Sequence, residues 1–240
     1  VPRTSPNDGA PGLKVGGVTS FSATDYPGKL AAVVFIQGCP WRCGYCHNPH
    51  LQPRTRQGAF VWEQVMAFLE RRRGLIDAVV FSGGEPTIDP ALPEAMEAVR
   101  KLGFGIGLHT AGIYPQRLMQ VLPLVDWVGL DVKAAFGKYE KITQVADSGA
   151  SVSSCLEAVL ASDVAYEVRT TVHADLLNEQ ELLDLAKTLA KIGVHHYALQ
   201  AFRPQGCAAA ALNAADLPRF SPDLLEKMAS LFPHFTLRRE

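Results

Sequence analysis

Six short apolar runs recur along the chain, at residues 33–36, 78–81, 104–108, 127–130, 166–172 and 197–199. Each has the length of a strand, and the segments between them carry helical spacing. Such alternation predicts a parallel sheet with right-handed helical crossovers. The clearest helix is expected over 178–192: Asn178 caps it, Glu181 completes a capping-box-like pair, and Leu182, Leu185, Ala186 and Leu189 form one stripe. Another begins at Ser221-Pro222 and buries Leu224, Leu225, Met228 and Leu231. Residues 13–21 read as a further strand, joined to 30–37 through the turn-forming Asp25-Tyr26-Pro27-Gly28-Lys29. The predicted architecture is α/β: an open partial (β/α)6 TIM-like barrel with an N-terminal β-hairpin extension.

A chain of 240 residues suits one domain, expected over 13–240, with residues 1–12, rich in Pro, Gly, Ser and Asn, as a flexible leader. Lys and Arg number 23 against 24 Asp and Glu, so no global field draws in nucleic acid, and Arg71-Arg72-Arg73 reads as solvated charge. No run approaches the roughly 20 apolar residues of a membrane span, and the start lacks a signal peptide's apolar core. A cytoplasmic protein is expected. Of five cysteines, three lie within eight positions, a pattern of a metal or redox site in a reducing compartment and not of a disulfide framework. Cys155 and Cys207 read as a buried apolar residue and a loop thiol.

Polar residues cluster where the apolar runs end. Gly38-Cys39, Ser82-Gly83-Gly84-Glu85, His109-Thr110, Asp131-Val132-Lys133, Arg169 with Thr171 and His173, and Gln200 with Phe202 and Arg203 all follow or close a run. The carboxyl ends of parallel strands open on one face, so these scattered groups predict one site. His195 and His196 straddle both faces of a strand and read as structural. Cys39, Cys43 and Cys46 form C-x3-C-x2-C in the loop after the first parallel strand. Two readings follow. Three thiolates can hold three irons of a cubane and leave the fourth open to a small molecule. Alternatively, His47 or His50 completes a Cys3His zinc set in a zinc-stabilised α/β interaction protein.

The C-x3-C-x-aromatic-C pattern, with Tyr45 in the aromatic position, and the later Gly83-Gly84-Glu85-Pro86 resemble the two signature motifs of the radical S-adenosylmethionine (SAM) superfamily. The resemblance implies a [4Fe-4S] cluster on Cys39, Cys43 and Cys46, with S-adenosylmethionine chelating the open iron. Reductive cleavage then gives methionine and a hydrogen-abstracting 5′-deoxyadenosyl radical. By the same resemblance Gly83, Gly84 and Glu85 meet the methionine amino group, and Tyr45 lies along the adenine, stacking on it or offering its backbone. Asp131 and Lys133, pointing to one side of their strand, hold the ribose and carboxylate, with Arg169 and Gln200 as further cosubstrate contacts. His109-Thr110-Ala111-Gly112 departs from the Asp-Thr-Asn-Gly that similar activating enzymes carry, removing a negative charge and any cation site built on it.

Residues 18–29, Cys46-His47-Asn48-Pro49 and Gly129-Leu130-Asp131-Val132-Lys133 resemble segments of enzymes that activate glycyl-radical proteins. Within that group the activating proteins of anaerobic ribonucleoside-triphosphate reductase match most fully, over roughly residues 16–206. The implied partner is that reductase, its C-terminal glycyl loop entering the mouth beside Asp25, with a reduced flavodoxin or ferredoxin as electron donor. Pyruvate formate-lyase activating enzyme and 7-carboxy-7-deazaguanine synthase are the neighbouring alternatives.

Overall fold

The computed structural model describes residues 12–173, 175–204, 206–207 and 220–239. The expected leader, apart from Gly12, lies outside them. A single eight-stranded sheet organises the rest, its strands in sequence order: β1 (Val15–Ser22), β2 (Ala31–Ile36), β3 (Ala78–Gly83), β4 (Gly105–Thr110), β5 (Trp127–Asp131), β6 (Ala165–Val172), β7 (His196–Ala201) and β8 (His234–Arg238). β1 pairs antiparallel with β2, and every later pairing is parallel. The helices are α1 (Trp62–Glu70), α2 (Leu92–Lys101), α3 (Pro115–Val121), α4 (Glu140–Thr143), α5 (Ser148–Leu160), α6 (Glu179–Lys191) and α7 (Pro222–Leu231).

The open α/β barrel with its leading hairpin is therefore present, with seven parallel strands where six were expected. The addition is β8. Its Phe235 and Leu237 alternate with His234, Thr236 and Arg238, a half-buried pattern only five residues long that sequence periodicity separates poorly from the tail of α7.

Side chains on successive strand residues point to opposite faces. Ala32, Val34 and Ile36 of β2, Val79 and Phe81 of β3 and Ile106 and Leu108 of β4 are buried in the main core, with the helices. α6 illustrates the packing: Leu182, Leu185, Ala186 and Leu189 are all buried, and each leucine contributes roughly 1.5–3 kcal/mol. Its capping box is formed, Glu181 N donating to Asn178 Oδ1 at 2.9 Å and Asn178 N to Glu181 Oε2 at 3.2 Å. α7 starts as expected on a Ser221 cap.

The opposite face of the sheet carries small residues: Ala31, Val33, Ala78 and Val80 form a second buried cluster, with Tyr26 and Phe35 against it. Tyr26 comes from the β1–β2 connection, which folds across this face. Its ring stacks on Trp127 at 5.3 Å between centroids. Gly107 makes this possible, since a Cβ there would lie 3.1 Å from the Tyr26 ring. Past Tyr26 the chain reverses in a hydrogen-bonded turn, Lys29 N to Tyr26 O at 3.1 Å. Pro27 presets its first central position, and Gly28 takes the φ of +73° that the second requires. His195 and His196 sit exposed at the amino end of β7, away from the carboxyl-end face, with His196 stacked on His234.

Candidate active site

The loop after β2 holds Cys39, Cys43 and Cys46, all free and half-buried. Gly38, at φ +113°, turns the chain out of the strand, and Cys46 N donates to Cys43 O at 3.1 Å. Burial pushes the Cys39 thiol up to about 12, aided by the charge of Glu85, and burial likewise raises Cys43, against the pull of Lys133. Bare thiolates at Cys39 and Cys43 are thus disfavoured, and a bound cation is what would make them stable. Sequence reading left Cys207 as an ordinary loop thiol. The structure sets it against the cysteine loop, its Sγ 3.5 Å from Gly44 O.

Tyr45 is 5% exposed, and its hydroxyl is buried without a hydrogen-bond partner among the described residues. The ring is packed into the core, with the Lys133 ammonium 5.6 Å from its centroid, so of the two expected ways of meeting an adenine, stacking or backbone, the buried ring leaves the backbone.

Gly83 and Gly84 end β3, and their missing side chains make room for protein backbone. A Cβ on Gly83 would sit 2.3 Å from Ile36 N, and one on Gly84 2.4 Å from Gly38 O. Gly84 N and Glu85 N donate to Ile36 O and Gly38 O, both at 2.9 Å, tying this loop to the start of the cysteine loop. Glu85 was expected to aim its carboxylate at an ammonium group. Instead it is fully buried and accepts from Thr87 N (3.1 Å), Thr87 Oγ1 (2.6 Å), Thr110 Oγ1 (2.8 Å) and Ala111 N (2.9 Å). The carboxylate joins the ends of β3 and β4, because a buried charge needs donors and these are the ones in reach.

A cavity of about 960 Å³ opens at the carboxyl ends of the strands, and it gathers Asp25, His109, Asp131, Arg169 and Gln200. Asp131 is the hub. Arg169 Nε donates to its Oδ1 at 3.0 Å, and Lys133 Nζ stands 3.6 Å from its Oδ2. Despite burial, these two cations hold the Asp131 carboxyl below its usual range. Lys133 is not on the strand, as expected, but just past its end, where its backbone N donates to Tyr139 Oη at 2.7 Å. It links the mouth to the cysteine loop, reaching Asp131 on one side and the Tyr45 ring on the other. Gly129 leaves space for the Arg169 guanidinium, whose Cζ would be 2.7 Å from a Cβ there.

Trp127, Glu167 and Arg238 of this mouth were not singled out from sequence, and His47 was read there only as a candidate zinc ligand and as part of Cys46-His47-Asn48-Pro49. Arg238 grips Glu167 through both guanidinium nitrogens at 2.7 and 2.9 Å, and it escaped notice because β8 did. His173 lies just past β6, 1% exposed and edge-on to Phe202, and is not among the cavity residues. The zinc alternative needed His47 or His50 as a fourth ligand. His47 Nε2 instead donates to Arg203 O at 2.8 Å with its ring stacked on Phe202, and His50 is exposed.

Among the described residues, seven parallel strands that close no barrel, with three free thiols at the end of the first and a charged mouth beside them, make an open partial barrel with its chemistry at one end. The model of the radical SAM superfamily matches residues 33–192. A protein of Methanocaldococcus jannaschii named "putative glycyl-radical enzyme activating enzyme" is 31% identical, over 80% of this chain and 80% of that one. A 7-carboxy-7-deazaguanine synthase of Neisseria meningitidis serogroup B is 26% identical over 80% of this chain and 73% of its own. Among solved structures, QueE from Escherichia coli superposes with a TM-score of 0.56 at 17% identity, over 95% of this chain and 94% of that one. The chain belongs to the radical SAM superfamily. Membership brings a [4Fe-4S] cluster and S-adenosylmethionine, and the donor types fit: three soft thiols on one loop, with the His47 Nε2 turned to Arg203 O.

Proposed function

We propose that this enzyme is a glycyl-radical activase, and that its partner is anaerobic ribonucleoside-triphosphate reductase. Cys39, Cys43 and Cys46 hold three irons of the cluster. Asp131, Lys133, Arg169 and Gln200 orient the cosubstrate, while the backbone of Gly83 and Gly84 lines the route between cluster loop and mouth. With cluster, cosubstrate and a reduced flavodoxin or ferredoxin, the chemistry supplied is a 5′-deoxyadenosyl radical that removes a hydrogen atom from a glycine Cα. Asp25 meets the incoming loop. A reducing cytoplasm suits a site of free thiols.

The mouth carries this reading. Small-molecule sites are predominantly apolar cavities of roughly 300–1,000 Å³. This one lies at the top of that range, yet Asp, Glu, Arg and His line much of it. Such a surface suits peptide backbone, whose amides need polar partners. The relative from Methanocaldococcus jannaschii supports the same substrate class.

The test mixes anaerobically reconstituted enzyme, S-adenosylmethionine, dithionite and the reductase, and reads electron spin resonance. A glycyl doublet is expected, with 5′-deoxyadenosine formed alongside. Formation of 5′-deoxyadenosine without a doublet on a competent reductase would remove the assigned partner. Production of 7-carboxy-7-deazaguanine in a parallel assay would replace the activase reading.

A further inference from the structure

We infer that His109 is a positioning residue, a latch that fixes the β1–β2 connection, and with it Asp25, at the rim of the mouth. The functional half of this inference rests on the reading that a partner loop enters there.

His109 is the penultimate residue of β4, with its side chain 12% exposed. Its Nε2 lies 2.7 Å from Asp25 O. A carbonyl oxygen only accepts, so the ring proton is on Nε2, and Nδ1 is left to accept from Ser82 Oγ at 3.4 Å. Among the described residues this is the one hydrogen bond that β2–β8 make to the backbone of residues 23–29. Every other bond there is local: Ser22 Oγ accepts from Thr24 N and Asp25 N and donates to Asp25 Oδ2. The Tyr26 ring supplies a second hold by stacking on Trp127, which His109 meets edge-on at 5.5 Å.

Three adjacent strand residues thus meet one loop. Trp127 and Gly107 seat the ring of Tyr26, and His109 fixes the carbonyl one residue earlier. The carboxylate of Asp25 is left 36% exposed on the cavity wall. The chemistry of the latch is specific. An acid at 109 would set an acceptor against an acceptor. Gln places an amide donor near the position of Nε2, and Asn places one near Nδ1, facing Ser82 instead.

The experiment compares wild type with H109A, H109N and H109Q as reconstituted holoenzymes, by hydrogen–deuterium exchange over residues 22–30 and by glycyl radical formed per 5′-deoxyadenosine. Exchange in this segment is expected to quicken about tenfold in H109A and H109N, as one lost hydrogen bond implies, and to stay near wild type in H109Q. The radical-to-deoxyadenosine ratio is expected to fall in the same two variants through a raised KM for the partner, and to recover in H109Q. Unchanged exchange in H109A and H109N overturns the latch. Faster exchange with an unchanged ratio overturns its role in placing Asp25. If wild type itself forms no glycyl radical, the activase reading fails, and the latch is decided by exchange alone. Should H109A not fold, H109N against H109Q carries the comparison.

Discussion

The Glu85 carboxylate accepts four hydrogen bonds while wholly buried, so the ends of β3 and β4, not solvent, decide its energetics. Burial raises its pKa and the donors from Thr87, Thr110 and Ala111 pull it back. In E85Q one oxygen keeps its three donors, but the amide faces Ala111 N, donor against donor. A loss of about 1–3 kcal/mol is expected from that unmet pair, read by anaerobic urea unfolding. His109 gives a pH signature. Burial first, and then Arg169, pull its pKa down to about 3 from 6.5, against the pull of Asp25 and Asp131. In that interval the unfolded chain binds the proton and the folded one does not, so stability falls as pH drops from 6.5 towards 3. Because Glu85 and Asp131 titrate as well, the measurement is a difference: wild type should lose more Tm between pH 7 and pH 5 than H109Q. The sequence identified Glu85 and His109 as members of the site, since both end apolar runs. Which way each side chain turns depended on Thr110, Ala111 and Asp25, neighbours brought in by tertiary packing.

At the level of elements, the glycines ending β3 set how closely two loops approach. A methyl group on Gly84 would meet the Gly38 carbonyl, which is backbone and cannot swing away. G84A is therefore expected to displace the start of the cysteine loop and to lower iron bound per chain after anaerobic reconstitution, with Gly129→Ala as comparison. At Gly129 the obstructing atoms are the far end of the Arg169 side chain, so iron content there should hold. Elements with strong local signals were legible: α6 through its capping box, and the β1–β2 turn through Pro27-Gly28. β8 was not, because five residues of alternation carry little information. Nor was the inward fold of the β1–β2 connection, which depends on the small residues Ala31, Val33, Ala78 and Gly107 leaving room for Tyr26.

For the molecule as a whole, periodicity and strand-end chemistry were enough to read an open α/β barrel with one functional face. The breadth of its mouth was not readable, being fixed by how Arg169, Arg238 and the β1–β2 connection settle around Asp131 and Glu167. Each strand lies beside its neighbours in sequence from β1 to β8, and that spatial order is also an order of assembly. Chains emerge amino end first and domains organise as they emerge. The cysteine loop is made before β5, β6 and β7, so the iron ligands exist before the walls that will enclose the cosubstrate. Every new strand can join at a growing edge without threading past an older one. A nascent chain can therefore present its thiols to an iron–sulfur donor while the site is still open, and the pair between Glu167 and Arg238 of the last strand closes that interval.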